Sequence, residues 1–132
     1  MIDTYIRSLL KGVKARQLLL APAEAAGPYS YLDAGEEQDV YEDATTDMRR
    51  ISLDLDLNAM TQNGTVRLYR KTNGVNYRIW IQEAYSVGGA EKVFSRDNLV
   101  TNQHFKVTYQ EAADEGAARS IPYNVITEPM EV

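Results

Sequence analysis

Residues 51–85, ISLDLDLNAMTQNGTVRLYRKTNGVNYRIWIQEAY, restrict this chain more than any other stretch. Ile51, Leu53 and Leu55 point one way and Ser52, Asp54 and Asp56 the other, the period-2 pattern of a strand with one face in a core and one in water. Two further runs, 65–70 and 76–85, are introduced by Asn63-Gly64 and Asn73-Gly74. Asn-Gly suits tight hairpin turns because both residues tolerate positive φ. These four residues are therefore the expected structural turns, and the segment as a whole predicts a meander of adjacent antiparallel strands.

Other segments extend the pattern. Residues 38–44 read as a short edge strand whose acids discourage stray pairing. A brief strand is expected at 92–94. In 104–110, Phe105, Val107 and Tyr109 share a face. In 119–127, Ile121, Tyr123 and Val125 do the same, with Pro122 placed at a bulge or an edge because it cannot donate to a ladder. In 76–85, Tyr77, Ile79 and Ile81 are expected on one face and Arg78, Trp80 and Gln82 on the other. Six to eight short strands indicate an all-β fold over residues 37–132, an antiparallel β-sandwich, with a jelly roll as its specific form and a small barrel as the rival.

The first 21 residues differ in character. Asp3 can cap an amphipathic helix whose apolar seam runs through Ile2, Ile6, Leu9, Val13 and Leu20, spacings that place these side chains along one stripe. Gly12 and a length of about 18 residues leave such a helix marginal in water without a partner. The seam is thus the expected docking or oligomer interface. Residues 22–36, rich in Ala, Pro and Gly, read as a linker.

Charge follows the same division. Within residues 1–21, Arg7, Lys11, Lys14 and Arg16 face only Asp3, whereas residues 22–45 hold seven acids and no base. The remainder is nearly balanced, so the β-rich part has none of the concentrated positive surface that nucleic-acid binding requires. No apolar run approaches the roughly 20 residues that cross a bilayer, and membrane insertion is not expected.

The residue inventory offers little chemistry. Cysteine is absent, which removes disulfides and thiolate chemistry. The acids Asp33, Glu36, Glu37, Asp39, Glu42 and Asp43 do not have EF-hand spacing and fit a solvated edge. Asp54 and Asp56 share a strand face, the ordinary result of a spacing of two. His104, the one histidine, cannot build a multi-histidine centre. Phosphate-loop, nucleophile-elbow, zinc and dinucleotide motifs are all missing. No catalytic residue, metal site or cofactor is expected. Tyr69, Trp80 and Tyr85 are the candidates for ligand or partner contact, because aromatic rings bury large area while keeping hydrogen-bonding atoms.

Residues 51–59, TQNGTVRLY at 61–69, NGVNYR at 73–78 and EGAARSIPY at 115–123 together resemble small β-sandwich structural proteins of tailed bacteriophages and prophages. The resemblance spans roughly residues 29–128 and carries no catalytic pattern. It implies a noncatalytic virion protein, decorating a capsid or belonging to a tail, partnered by copies of itself or by other virion proteins. Such a protein would be found in the virion, or in the host cytoplasm during assembly. A carbohydrate or host-surface binding module is the alternative.

Overall fold

A computed structural model describes residues 22–32, 35–88 and 91–130. The helix expected over residues 1–21, with Ile2, Ile6, Leu9, Val13 and Leu20, lies outside the described residues. Among those described there are ten strands and no helix: β1 (Ala23–Ala26), β2 (Tyr29–Tyr31), β3 (Gln38–Asp43), β4 (Arg49–Asp56), β5 (Gly64–Arg70), β6 (Arg78–Tyr85), β7 (Val93–Thr101), β8 (Phe105–Glu111), β9 (Arg119–Ile121) and β10 (Tyr123–Pro129).

All pairings are antiparallel, in two four-stranded sheets ordered β1-β10-β4-β7 and β3-β8-β5-β6, with β2 and β9 forming a separate ribbon. If β1 with β2 and β9 with β10 are each counted as one kinked strand, eight strands follow jelly-roll order, each connection crossing between the sheets except the β5–β6 hairpin. The kinks have local causes. Pro122 separates β9 from β10 and has no N–H to give. Opposite it, Gly27 donates to the Tyr123 carbonyl at 3.1 Å, and the Tyr123 ring lies against the space a β-carbon would fill.

The core lies between the inner faces of the two sheets. Ile51, Leu53 and Leu55 from β4, Phe94 from β7 and Val125 from β10 meet Val66, Leu68, Phe105, Val107 and Tyr109 from β5 and β8. All are almost fully buried, and each large aliphatic or aromatic side chain contributes about 1.5–3 kcal/mol on leaving water. The ribbon closes one end: Tyr31 meets Tyr109 edge-on, with centroids 5.2 Å apart and planes at 73°.

Several expectations need correction. β4 and β5 lie in opposite sheets, so the meander is confined to the β5–β6 hairpin. Alternation identifies a strand's buried face without naming its neighbour. Buried Leu57 and Met60 carry the chain across the end of the core between these strands. Residues 22–36, read as a linker, hold β1 and β2. Ala-rich β1 has little to bury, yet it pairs with β10 from Ala23↔Thr127 to Ala26↔Asn124.

β7 extends well past the expected 92–94. Its register shifts between the Ile51 and Leu53 pairings, and Asn98 takes φ 59° there. This bulge disguises the strand as a turn. A second shift pairs Leu68 with Ile81 but Tyr69 with Ile79, leaving Trp80 as the extra residue. Ile79 is consequently 55% exposed, while Trp80 and Ile81 pack against the core. The expected common face of Tyr77, Ile79 and Ile81 is broken at that point.

Candidate binding surfaces

The outer face of the β3-β8-β5-β6 sheet carries the densest set of polar and aromatic side chains. Strand register sets Glu42, Lys106, Tyr69 and Ile79 in one row across the four strands, with Asp39, Thr108, Arg67 and Gln82 in the next. Glu37, just before β3, folds over this face. Its carboxylate accepts from Tyr69 Oη at 2.5 Å, Thr108 Oγ1 at 2.7 Å and Arg67 Nη1 at 3.1 Å. Partial burial raises the Glu37 pKa, but these hydrogen bonds, with Arg67 and Lys106 nearby, outweigh it and hold the group below the ordinary carboxylate range. For Tyr69, burial and then the bond to Glu37 push the phenol up to about 12.

Tyr77 joins the same face from the β5–β6 connection. Its hydroxyl donates to Glu42 at 2.7 Å. The Lys71 and Lys106 ammonium groups each lie 4.9 Å from the centroid of its ring. Such contacts fasten one strand to another; each exposed pair is worth at most about 1 kcal/mol.

The aromatics singled out from the sequence do not come together. Tyr69 is on the outer face, 6.5 Å edge-on from Tyr77. Trp80 packs against the core and lies 4.7 Å beneath the Arg70 guanidinium. Tyr85 also packs against the core and donates to the Val93 carbonyl at 3.2 Å. It borders an open depression of about 470 Å³ with Asn63, Gly64, Gln110 and Glu111 among its other walls.

The Asn-Gly pairs occupy different settings. Asn63 accepts from Val87 N through its side chain at 2.7 Å and from Ala112 N through its carbonyl at 2.8 Å. Gly64 opens β5 opposite Tyr85 and Glu111, and the Tyr109 hydroxyl occupies the room a β-carbon would take. Asn73 lies in the β5–β6 connection, where its side chain accepts from Val75 N and Asn76 N at 3.0 and 2.9 Å. Gly74 takes φ 73°, a conformation that glycine adopts without a steric penalty.

Among the described residues three charged side chains are buried, Arg49, Glu111 and Glu115, and none of them was singled out from the sequence. Arg49 is 3% exposed at one end of the sandwich. It donates to Asp43 at 3.1 Å and to the carbonyls of Asp47 and Gln103 at 2.9 Å each, and stacks over Phe105. At the other end Glu115 is 8% exposed. It accepts from Thr61 N at 2.7 Å, the Thr61 hydroxyl and Gln62 N at 3.3 Å, and pairs with Arg119 at 3.4 Å. Burial raises its pKa, but hydrogen bonds from the Glu111 carboxyl, Thr61 and Gln62 overcome that and bring it to about 2. Arg49 was detectable, since it keeps step with Ile51 and Leu53 on the inward side. Among the described residues, no group of three His, Cys, Asp or Glu side chains is arranged to hold a metal.

The fold defines a small antiparallel jelly-roll sandwich, and solved structures share it at low identity. A protein of Bacillus endospore appendages, which form a family of disulfide-linked pili, matches over 84% of this chain and 90% of its own, at 16% identity and TM-score 0.55. The Yersinia pseudotuberculosis-derived mitogen matches over 85% and 90%, at 11% identity and TM-score 0.49. VP2 of infectious bursal disease virus matches over 82% of this chain but 33% of its own, at 12% identity and TM-score 0.42. The likeness to the appendage protein is one of fold. No family model matches the sequence, and no curated protein matches it.

Proposed function

We propose that this chain is a noncatalytic structural subunit that associates with copies of itself or with other particle proteins, using the apolar seam of residues 1–21. The observation that carries this reading is how the sandwich uses its reactive side chains. Glu37, Arg67, Lys106, Arg49 and Glu115 each bond across strands or loops. They stiffen the scaffold, as a building block requires.

The pilus-forming protein of the same fold adds support, since its chain is almost fully covered by this one. Its assemblies are disulfide-linked, whereas this chain has no cysteine; any assembly it makes is therefore held without disulfides. The narrower setting, capsid decoration or a tail-associated part of a phage particle, rests on the sequence resemblance. Carbohydrate binding is less favoured because Trp80 lies under Arg70 and Tyr69 is tied to Glu37, so these two do not offer open aromatic faces side by side.

The test compares the solution mass of the full chain with that of an Ile6→Ser/Leu9→Ser/Val13→Ser variant. Substitution is preferable to a truncation beyond residue 21, which would strip β1 from β10. The expected result is an oligomeric parent and a smaller variant with an unchanged melting temperature. Equal, monomeric masses would overturn the proposal.

A further inference from the structure

Among the described residues, six large hydrophobic side chains are well exposed, and five of them, Val75, Ile79, Val87, Val93 and Val100, belong to β6, β7 or the connections beside them. That is one edge of the sandwich, since β6 and β7 are outermost in their respective sheets. Val75 is 72% exposed and Ile79 55%, and both lie in a segment with a distinct charge. Residues 70–79, RKTNGVNYRI, contain Arg70, Lys71 and Arg78 and no acid. Arg70 and Lys71 rest on aromatic rings, and none of the three pairs with a carboxylate among the described residues.

The opposite edge has the complementary character. Residues 36–47, EEQDVYEDATTD, hold six acids and no base, and β3 within them is the outermost strand of the same sheet. Cations of the other strands match only some of these acids: Arg67 pairs with Glu37, Lys106 with Asp39 and Arg49 with Asp43. Glu36, Glu42 and Asp47 have no ion-pair partner among the described residues.

Strand register puts these two segments level with each other. Asp43 pairs with Phe105, Phe105 with Arg70, and Arg70 with Arg78, so one row runs from the acidic edge to the basic one. A neighbouring copy displaced sideways along that row brings its acidic segment against Lys71, Val75, Arg78 and Ile79.

We propose that residues 70–79 at the β6 edge form a contact surface for the acidic segment 36–47 of a second copy of this chain. The contact is heterologous, with unlike surfaces meeting, so it repeats from copy to copy. It is made by side chains, because Val40 bulges from β3 and Trp80 from β6, and these bulges interrupt a continuous hydrogen-bonded ladder across the two edges. The inference rests on the assembly reading and adds a second interface to it, separate from residues 1–21.

Two full-length charge variants test it, Lys71→Glu/Arg78→Glu and Glu36→Lys/Asp47→Lys, with sedimentation measured at low salt and thermal melting as a check of folding. These four side chains avoid the internal ion pairs described above. Each variant alone should need at least about tenfold more protein than the parent to reach the same mean mass, since opposed edges now repel. An equimolar mixture should recover the parent's behaviour, because each reversed edge then meets a complementary one. High salt should weaken the parent's assembly. If the parent assembles and both variants assemble equally well, or if the mixture fails to recover, the edge contact is wrong while the assembly reading stands. A parent that stays monomeric throughout overturns both.

Discussion

The two ends of the sandwich perform the same task with opposite charges. At one end Arg49 gathers the turn after β3 and the turn after β7, through Asp43, the Asp47 carbonyl and the Gln103 carbonyl. At the other, Glu115 gathers the crossing segment after β4 and the loop before β9, through Thr61, Gln62 and Arg119. Each is a buried ion that substitutes fixed protein dipoles for its water shell. The difference is protonation. Guanidinium keeps its charge at every pH a protein survives, whereas a carboxylate can be neutralised. Acid can therefore loosen the Glu115 end by neutralising the ion at its centre.

That contrast can be broken most strongly at Arg49. Arg49→Met keeps length but leaves Asp43, with a side chain only 12% exposed, without its cation; the expected loss of unfolding free energy is about 3–5 kcal/mol. Arg49→Lys should recover only part of it, because an ammonium cannot reproduce three planar donor directions. Urea titration of the three proteins measures this. No difference between parent and Arg49→Met would mean that Arg49 is not the anchor of that end.

Acid should sharpen the comparison next. The folded pKa of Glu115 is depressed from 4.5 to about 2, so its stabilisation is complete above 4.5 and disappears as pH falls toward about 2. The shift corresponds to an effect on the order of 3 kcal/mol. Melting temperature against pH should therefore decline more steeply across that window for the parent than for Glu115→Gln. Parallel curves would remove Glu115 from the explanation. At neutral pH, Glu115→Gln should cost about 1–3 kcal/mol, since an amide still accepts from Thr61 but without charge.

The smallest effect is expected on the outer face. Tyr77→Phe removes the bond to Glu42 but keeps the ring's contacts with Lys71 and Lys106, and should cost less than about 1 kcal/mol. A loss comparable to that of Arg49→Met would mean that the outer cluster holds the fold together as much as the buried anchors do.

The same contrast explains what sequence could reveal. Ile51, Leu53 and Leu55, or Phe105, Val107 and Tyr109, alternate with polar neighbours, and that local period specifies a buried face directly. Arg49 and Glu111 continue those inward-facing series at their ends, so their burial was readable in principle, though their charge suggested surface. Glu115 sits outside any strand, and its partners Thr61 and Gln62 are more than fifty residues away, beyond the range of any pattern. The separation of β4 from β5 was hidden for a related reason, since Leu57 and Met60 look like the end of a hairpin as readily as a crossing. Gly64 follows Asn63 as in a turn, yet its missing side chain makes room for Tyr109, a residue of another strand. The candidate surfaces were less legible still. The acidic and basic segments are visible as composition, but only the register from Asp43 through Phe105 and Arg70 to Arg78 places them on one row.

The claim that this chain is a building block is tested most directly by the mean mass of the unmodified, full-length protein in low-salt solution over about a hundredfold range of concentration. The account predicts a mass that exceeds the monomer and climbs with concentration. A mass that remains that of one chain at every concentration would contradict it.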